Sequence, residues 1–507
     1  MNERSIAYLA AGMALVVCLV DSSNASASSG PGASRKSLQR TVDSIVLAGG
    51  KLAPLLGVPI DDVRVLAFDG ETPLPVPFQI DERDQKGSYI FRTSSPEVED
   101  ADNGLFDTND ELVFMCKDTG DRMPAGWRRP EGVFEEIAVR DPVDGGVGWC
   151  YATTKDTYQH LSPVDYVRYD PARDAVYAQN YNLDFSRAAP NSYADTAVTP
   201  AGGGNGARLN DRVVIRLDAS AVFKLVHIRR SEEDFRSTLK GYIDGPVRVV
   251  KRVGNSIRQV FGIYGPEIEV DYTFYFSNWI MPSVIDLPVD VGKYLSQFDF
   301  RGGTHWTPAA KGMVFYTKYI PPGTAVIDGH MSEAEKQMDL RLDIGHIWHC
   351  YTGALTGGGQ GSILFRILMD DFLVKTLQVK TYYYDRADDP DFVDDPVTKD
   401  EYRRFFEGSY VWMGMEKLPK GRYHITSWAT IMPDYARPGD EQRYLDVLDR
   451  PLEVTVREAS AQGGSRKEEG MIAPLPYPEG IAVREERLSG SLVFRGSSGA
   501  EREGEGL

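Results

Sequence analysis

The sequence predicts an all-β protein: a large multi-strand sandwich region over 41–330, a smaller β-sandwich over 331–456 and few short helices. Three observations carry that expectation. Short runs rich in Val, Ile, Tyr and Phe recur along the chain, broken by Gly, Pro, Asn and Asp, which is strand-and-turn punctuation. Many of these runs alternate apolar with polar residues, the period of a half-buried strand. Helices are few: Ser332 with Glu335 and Thr398 with Glu401 form capping-box patterns that mark two short ones. Strand faces must then pack on other strand faces, and the 42% hydrophobic and 11% aromatic content supplies the cores.

Residues 1–27 read as a secretory signal peptide. Arg4 gives a thin positive region, residues 6–20 form an apolar core of about fifteen, and Ala25-Ser26-Ala27 offers a cleavage site. That core falls short of the roughly 20 apolar residues of a spanning helix, so no integral membrane segment is expected in the mature chain. A lipid anchor on Cys18 is disfavoured because bulky Val17 precedes it. The expected location is periplasmic or extracellular, and Ser/Gly-rich residues 28–40 form a flexible lead-in.

Within the large region, strand composition marks 41–47, 63–68, 76–80, 111–115 and 149–153, with Asp69-Gly70 and prolines 73, 75 and 77 as turns. Residues 161–210 lack apolar periodicity and read as a long irregular connection, a break that could divide the region into two subdomains. Strands resume at 213–217, 223–228, 247–253, 270–276 and 313–319. In the smaller sandwich, a short helix starts at Ser332, 340–351 is a strand, and 363–369 with 372–384 form a hairpin turning at Asp370-Asp371. A second short helix runs from Thr398 to near Glu407, and 423–430 and 452–456 close the domain. Residues 457–507, rich in Gly, Ser, Glu, Arg and Lys, cannot bury enough apolar surface to offset chain entropy and are expected to be disordered.

Composition narrows the function. The formal charge is −18, and Glu3, Asp21 and Arg4 make the leader's share −1. A surface that acidic repels phosphate backbones, so nucleic acid is excluded as a partner, and neutral or cationic ligands and divalent cations are favoured. The chain has no G-x-S-x-G elbow, phosphate loop, dinucleotide fingerprint, H-E-x-x-H or C-x-x-C-H, so no nucleotide, flavin or covalent haem is expected. Beyond the leader stand Cys116, Cys150 and Cys350. They read as buried thiols, with a Cys116–Cys150 bridge as the alternative.

Four groups of residues are candidates for a site. The acidic run from 100 to 111 places Asp100, Asp102, Asp107 and Glu111 as calcium ligands on a β-loop, since a hard cation needs roughly six to eight oxygens. It is no EF-hand, because the glycine comes one residue early; the competing reading is a turn whose Asp and Asn side chains bond their own backbone. Gln79, Asp81 and Arg83 would share one strand face, where a carboxylate beside a guanidinium could orient a hydroxylated ligand or simply form a structural ion pair. His227 and Arg229 would share another face. His305-Trp306, after Gly302-Gly303, would place a titratable base and a stacking ring on a loop. His227, Arg229 and His305 are the first groups to test for acid/base catalysis, and Gln79, Asp81, Arg83 and Trp306 for ligand binding.

The functional expectation is an exported β-sandwich that binds or processes carbohydrate, of polysaccharide lyase or glycoside hydrolase type if an enzyme. The alternative is a non-catalytic cell-envelope or surface-assembly scaffold. A saccharide site needs an open groove with aromatics and convergent polar groups; a scaffold needs broad apolar patches.

Overall fold

The computed structural model describes residues 34–91, 104–186, 189–221, 225–258, 264–317, 320, 322–336, 350–357, 359–385, 407–459 and 471–472. The leader and the helix expected from Thr398 lie outside these residues. The chain is all-β, with 49% of residues in strands. Among the described residues no helix is long and apolar enough to cross a membrane.

An N-terminal module contains β1 (Ser44–Ala48), β2 (Val63–Asp69), β3 (Thr72–Pro75), β4 (Phe78–Asp81), β5 (Glu111–Met115), β6 (Phe134–Arg140) and β7 (Val147–Thr154). Then come β8 (Val167–Asp170), β9 (Ala175–Ala178), β10 (Tyr181–Ser186), β11 (Ala189–Val198), β12 (Asn210–Ala221), β13 (Val226–Ser231), β14 (Phe235–Asp244), β15 (Arg248–Ile257), β16 (Ile268–Tyr275), β17 (Asn278–Leu287) and β18 (Leu295–Trp306). The remainder are β19 (Val314–Thr317), β20 (Ala325–Val326), β21 (Cys350–Thr356), β22 (Ile363–Met369), β23 (Gln378–Tyr384), β24 (Glu407–Met413), β25 (Gly421–Ile431), β26 (Glu453–Glu458) and β27 (Met471–Ile472).

They form sheets ordered β1-β5-β4, β27-β26-β6-β7-β2-β3, β11-β10-β9-β8, β13-β12-β18-β24-β23 and β14-β15-β16-β17-β25-β22-β21-β19-β20. The three- and six-stranded sheets sandwich a core that includes Ile45, Val65, Leu112, Phe114, Ile137, Cys150 and Val454. β5 serves two cores at once because its residues alternate faces. Leu112 and Phe114 point into the module, whereas Val113 and Met115 join Val247, Tyr275, Phe276 and Trp428 of the nine-stranded sheet. The opposite face of that sheet, including Val249, Val253 and Phe274, packs on Tyr181, Leu183 and Val198 of the four-stranded sheet.

Several expectations are corrected. Residues 161–210 are a connection only in part: β8 to β11 form a meander there. The four-residue strands β8 and β9 are too short to show a period in a sequence window, whereas Tyr181, Leu183 and Phe185 of β10 do alternate and are buried. The division expected at 330/331 falls inside a sheet, because β17 pairs with β25 and β19 with β21. No hairpin turns at Asp370-Asp371. A helix, Asp371–Thr376, burying Leu373 and Val374, carries the chain from β22 to β23 in a different sheet, consistent with the poor fit of Asp-Asp to a two-residue turn. His305 and Trp306 end β18 and are not on a loop.

Part of the lead-in is docked: Lys36 Nζ donates to Lys117 O and Thr119 O, both at 2.8 Å, and Leu38 is buried. The tail contributes as well, since β26 runs through Glu458 and β27 pairs with it. The capping box at Ser332 is present, with Ser332 N donating to Glu335 Oε2 at 2.6 Å and Glu335 N to Ser332 Oγ at 3.2 Å.

Cys116 and Cys150 are free, buried thiols, and burial pushes both above their ordinary pKa. A thiol that is both shielded and protonated is inert. Maleimide labelling followed by peptide mass mapping should leave both unmodified in the native protein and modify both in denaturant without reductant. Protection that persists in denaturant until reduction would reveal a bridge.

Candidate functional site

Pairing of β4 with β5 sets Gln79 opposite Val113 and Asp81 opposite Glu111, so Gln79 and Asp81 share the face turned toward the nine-stranded sheet. That sheet presents Arg248, which is fully buried at the start of β15. Gln79 Oε1 accepts the amides of Val247 and Arg248 at 3.0 and 2.8 Å, and its Nε2 donates to both Asp81 oxygens at 2.8 and 3.0 Å. Arg248 Nε donates to Asp81 Oδ2 at 2.7 Å, and Nη2 reaches Glu111. Arg83 Nη2 stands 2.6 Å from Glu111 Oε1, and its guanidinium lies 3.8 Å from the centroid of the Tyr89 ring. Close approach here requires Gly245, where a Cβ would stand 2.4 Å from Gln79 Oε1.

Burial raises the Asp81 carboxyl, and Arg248 only partly offsets it. At Glu111 burial also acts upward, but Arg248 and Arg83 outweigh it and hold the carboxyl below its ordinary value. The structure thus brings Gln79, Asp81, Arg83 and Glu111 together as a closed ion-pair joint between module and sheet. Their charges and amide groups bond one another and the adjoining backbone.

Of the calcium candidates, only Asp107 and Glu111 lie among the described residues. Asp107 Oδ1 accepts the amides of Asn109 and Asp110 at 2.9 and 3.1 Å, the backbone-bonding turn. Glu111 is engaged by guanidinium groups, while Asp100 and Asp102 lie outside the described residues. Among the described residues, no three His, Cys, Asp or Glu side chains are grouped to hold a metal.

The acid/base candidates are dispersed. His227 faces Ser220 across the β12–β13 pair, with Nδ1 3.2 Å from the hydroxyl, and Arg229 Nε donates to Asp218 Oδ2 at 3.2 Å. His305 is buried opposite Arg212, its Nδ1 2.7 Å from Asp211 Oδ1. Ser220 and Arg212 are eight residues apart on one strand, about 26 Å at ~3.3 Å per residue, so His227 and His305 cannot act on one bond. Trp306 is partly buried against the large core, and Trp279 is buried.

One concave site was missed by the sequence reading. At one end of the nine-stranded sheet, the end of β21, the start of β22 and the end of β25 are neighbours: Ile363 pairs with both Leu355 and Ile431. The segments leaving them wall an open cleft of about 410 Å³, lined by Tyr316, Thr356, Ser362, Tyr435, several glycines and Pro322, Pro433 and Pro438. Gly357, Gly359 and Gly361 have φ of 105°, 79° and 103°, a left-handed backbone that other residues resist. Gln360 anchors this turn by donating to Ala309 O and Lys311 O at 3.0 and 2.9 Å.

The Tyr316 and Tyr435 hydroxyls meet at 2.9 Å, and Tyr316 Oη also lies 3.4 Å from Glu441 Oε2. Burial raises both phenols above their ordinary value, so both stay protonated at neutral pH and act as hydrogen-bonding groups. The described lining carries no carboxylate, so it cannot supply the carboxylate pair of common glycoside hydrolysis. The available sequence signal was the glycine run beside Ser362 together with the proline-flanked Tyr435, but these lie some seventy residues apart.

Two buried cations on β15 give testable consequences. Arg248→Ala leaves Asp81 unpaired and should cost about 3–5 kcal/mol in denaturant unfolding; a loss under 1 kcal/mol would contradict the joint. Lys251 pairs with Asp174 in the turn between β8 and β9. Burial, only partly offset by Asp174, pushes its amine down from 10.5 to about 8. A cation whose pKa is lower folded than unfolded penalises the fold below pH 8, and the penalty fades as pH rises from 8 toward 10.5. Stability measured against Lys251→Met should therefore rise across that window.

No family model matches the chain, and no curated protein matches it. Among solved structures, it is similar to an α-mannosidase from Enterococcus faecalis V583 at 9% identity and a TM-score of 0.37, covering 86% of this chain and 45% of that one. It is likewise similar to a protein in the glycosyl hydrolase family 38 from Enterococcus faecalis at 9% identity and a TM-score of 0.39, covering 85% of this chain and 47% of that one. The chain spans less than half the length of either.

Proposed function

We propose that this is an exported saccharide-binding protein and that the cleft at Tyr316 and Tyr435 is its sugar subsite. The observation that carries this reading is the cleft itself. Its 410 Å³ lies within the roughly 300–1,000 Å³ usual for small-ligand sites, and it combines tyrosines, hydroxyls and exposed glycine backbone. A sugar ring offers C–H faces to an aromatic and hydroxyl edges to such groups. Binding is favoured over hydrolysis because the described lining has no carboxylate and the phenols hold their protons.

The scaffold alternative has one observation in its favour. Leu225 and Val226 are exposed at the β12–β13 tip, and Tyr294 is exposed beside Leu295, which pairs with Ala221 of that tip. Among the described residues these exposed apolar groups are few.

A glycan panel probed with protein beginning at Ser28, with and without calcium, tests the proposal. At least one glycan should bind, and Tyr435→Ala should weaken it about tenfold, the effect of roughly 1.4 kcal/mol of lost contact. Failure to bind any glycan, or unchanged affinity in a folded Tyr435→Ala protein, would reject it.

A further inference from the structure

We infer that the cleft takes a neutral, hydroxyl-rich sugar and discriminates against the corresponding uronate; this rests on the saccharide-binding reading and adds the ligand's charge class. The first ground is the lining. Among its described residues stand no Lys, Arg, Asp or Glu, although charged residues make up 26% of the chain. Recognition of a carboxylate usually relies on a guanidinium or ammonium, preferably bidentate.

The second ground is the hydrogen-bond chain behind the site. Glu441 is buried, and its Oε2 accepts the Gly439 amide at 2.6 Å. Tyr316 Oη lies 3.4 Å from that oxygen and 2.9 Å from Tyr435 Oη, and the Tyr435 hydroxyl in turn bonds the side chain of Thr356, which lines the cleft with it. The described site therefore offers hydroxyls backed by a carboxyl group, and no cation. Sugar hydroxyls both donate and accept and can pair with such groups; a uronate carboxylate finds no cationic partner there and meets Glu441 behind them.

The cations flanking the cleft segment are otherwise placed. Arg437 is highly exposed, with Nε 3.9 Å from Asp440 Oδ1, and Arg443 donates to Asp434 O at 2.7 Å. Neither lines the cleft.

Tyr316 is a positioning residue in this scheme, because it acts through Tyr435. The test compares matched polymers by immobilised-glycan binding: mannan with mannuronan, galactan with galacturonan, and glucan with glucuronan. The neutral member of a bound pair should bind at least about tenfold tighter, and Ala436→Lys, which adds a cation at the rim, should narrow that ratio by raising uronate binding. Tyr316→Phe should weaken the neutral polymer, and Glu441→Gln, which removes the charge but keeps the side-chain shape, should shrink the preference even if Tyr316→Phe fails to fold. Equal or tighter uronate binding, or an unchanged ratio in both Ala436→Lys and Glu441→Gln, would overturn the charge class while leaving saccharide binding intact. Absence of binding to every polymer would instead overturn the underlying reading.

Discussion

The burial of Arg248 is the constraint on which the architecture depends. A guanidinium removed from water is tolerable only when acceptors surround it, because desolvation costs several kcal/mol per ion. Asp81 and Glu111 supply the opposing charge, and Gln79 fixes the backbone at Val247 and Arg248. All three acceptors come from the module, whereas Arg248 comes from the nine-stranded sheet. The module cannot slide or tilt on that sheet without stranding a charge, so apolar contacts of β5 and the ion-pair joint fix one geometry together. Alternation along β15 extends this logic to the other side. Lys251, three residues on, faces the opposite layer and pairs with Asp174. One strand thus ties its sheet to both neighbours through buried cations.

The cleft follows from the same sheet. A strand order that places β21, β22 and β25 side by side brings two chain exits and one entry to one end of the sheet. Segments leaving adjacent strands roughly 5 Å apart would collide if each carried large side chains. Glycines at 203 and 361 remove that conflict: a Cβ on Gly361 would lie 2.6 Å from Val198, and one on Gly203 would lie 2.9 Å from Pro433 O. Small residues at the crossing leave the concavity, and the tyrosines partly refill it from below.

How much of this was legible follows the range of each interaction. Strand alternation is local, so the all-β class and the shared face of Gln79 and Asp81 were readable from residue order. So was the Ser332–Glu335 capping box, whose partners lie three residues apart. The partner of Asp81 was not readable, because Arg248 lies 167 positions away and only folding selects it from the chain's many cations. Short strands at 167–170 and 175–178 escaped for a different reason: four residues bury Val167, Tyr169 and Val176 without showing a period. At Glu111, composition cannot distinguish a carboxylate that binds a metal from one that binds arginine, and its arginine partners are Arg83 and Arg248.

Charge placement connects the architecture to the candidate site. In an acidic chain, cations are the limiting partner, and the described structure places several of them in buried pairs: Arg248 with Asp81, Arg366 with Asp449, Lys251 with Asp174. Arg216 with Glu232 and Arg40 with Asp43 add two more at low exposure. These pairs hold layers and turns together and are unavailable to ligands. A concavity bounded by glycine, proline and tyrosine has a neutral described lining, in a chain whose formal charge is −18. Long-range attraction therefore cannot draw an anion into it, and short-range recognition must come from hydroxyls and peptide groups.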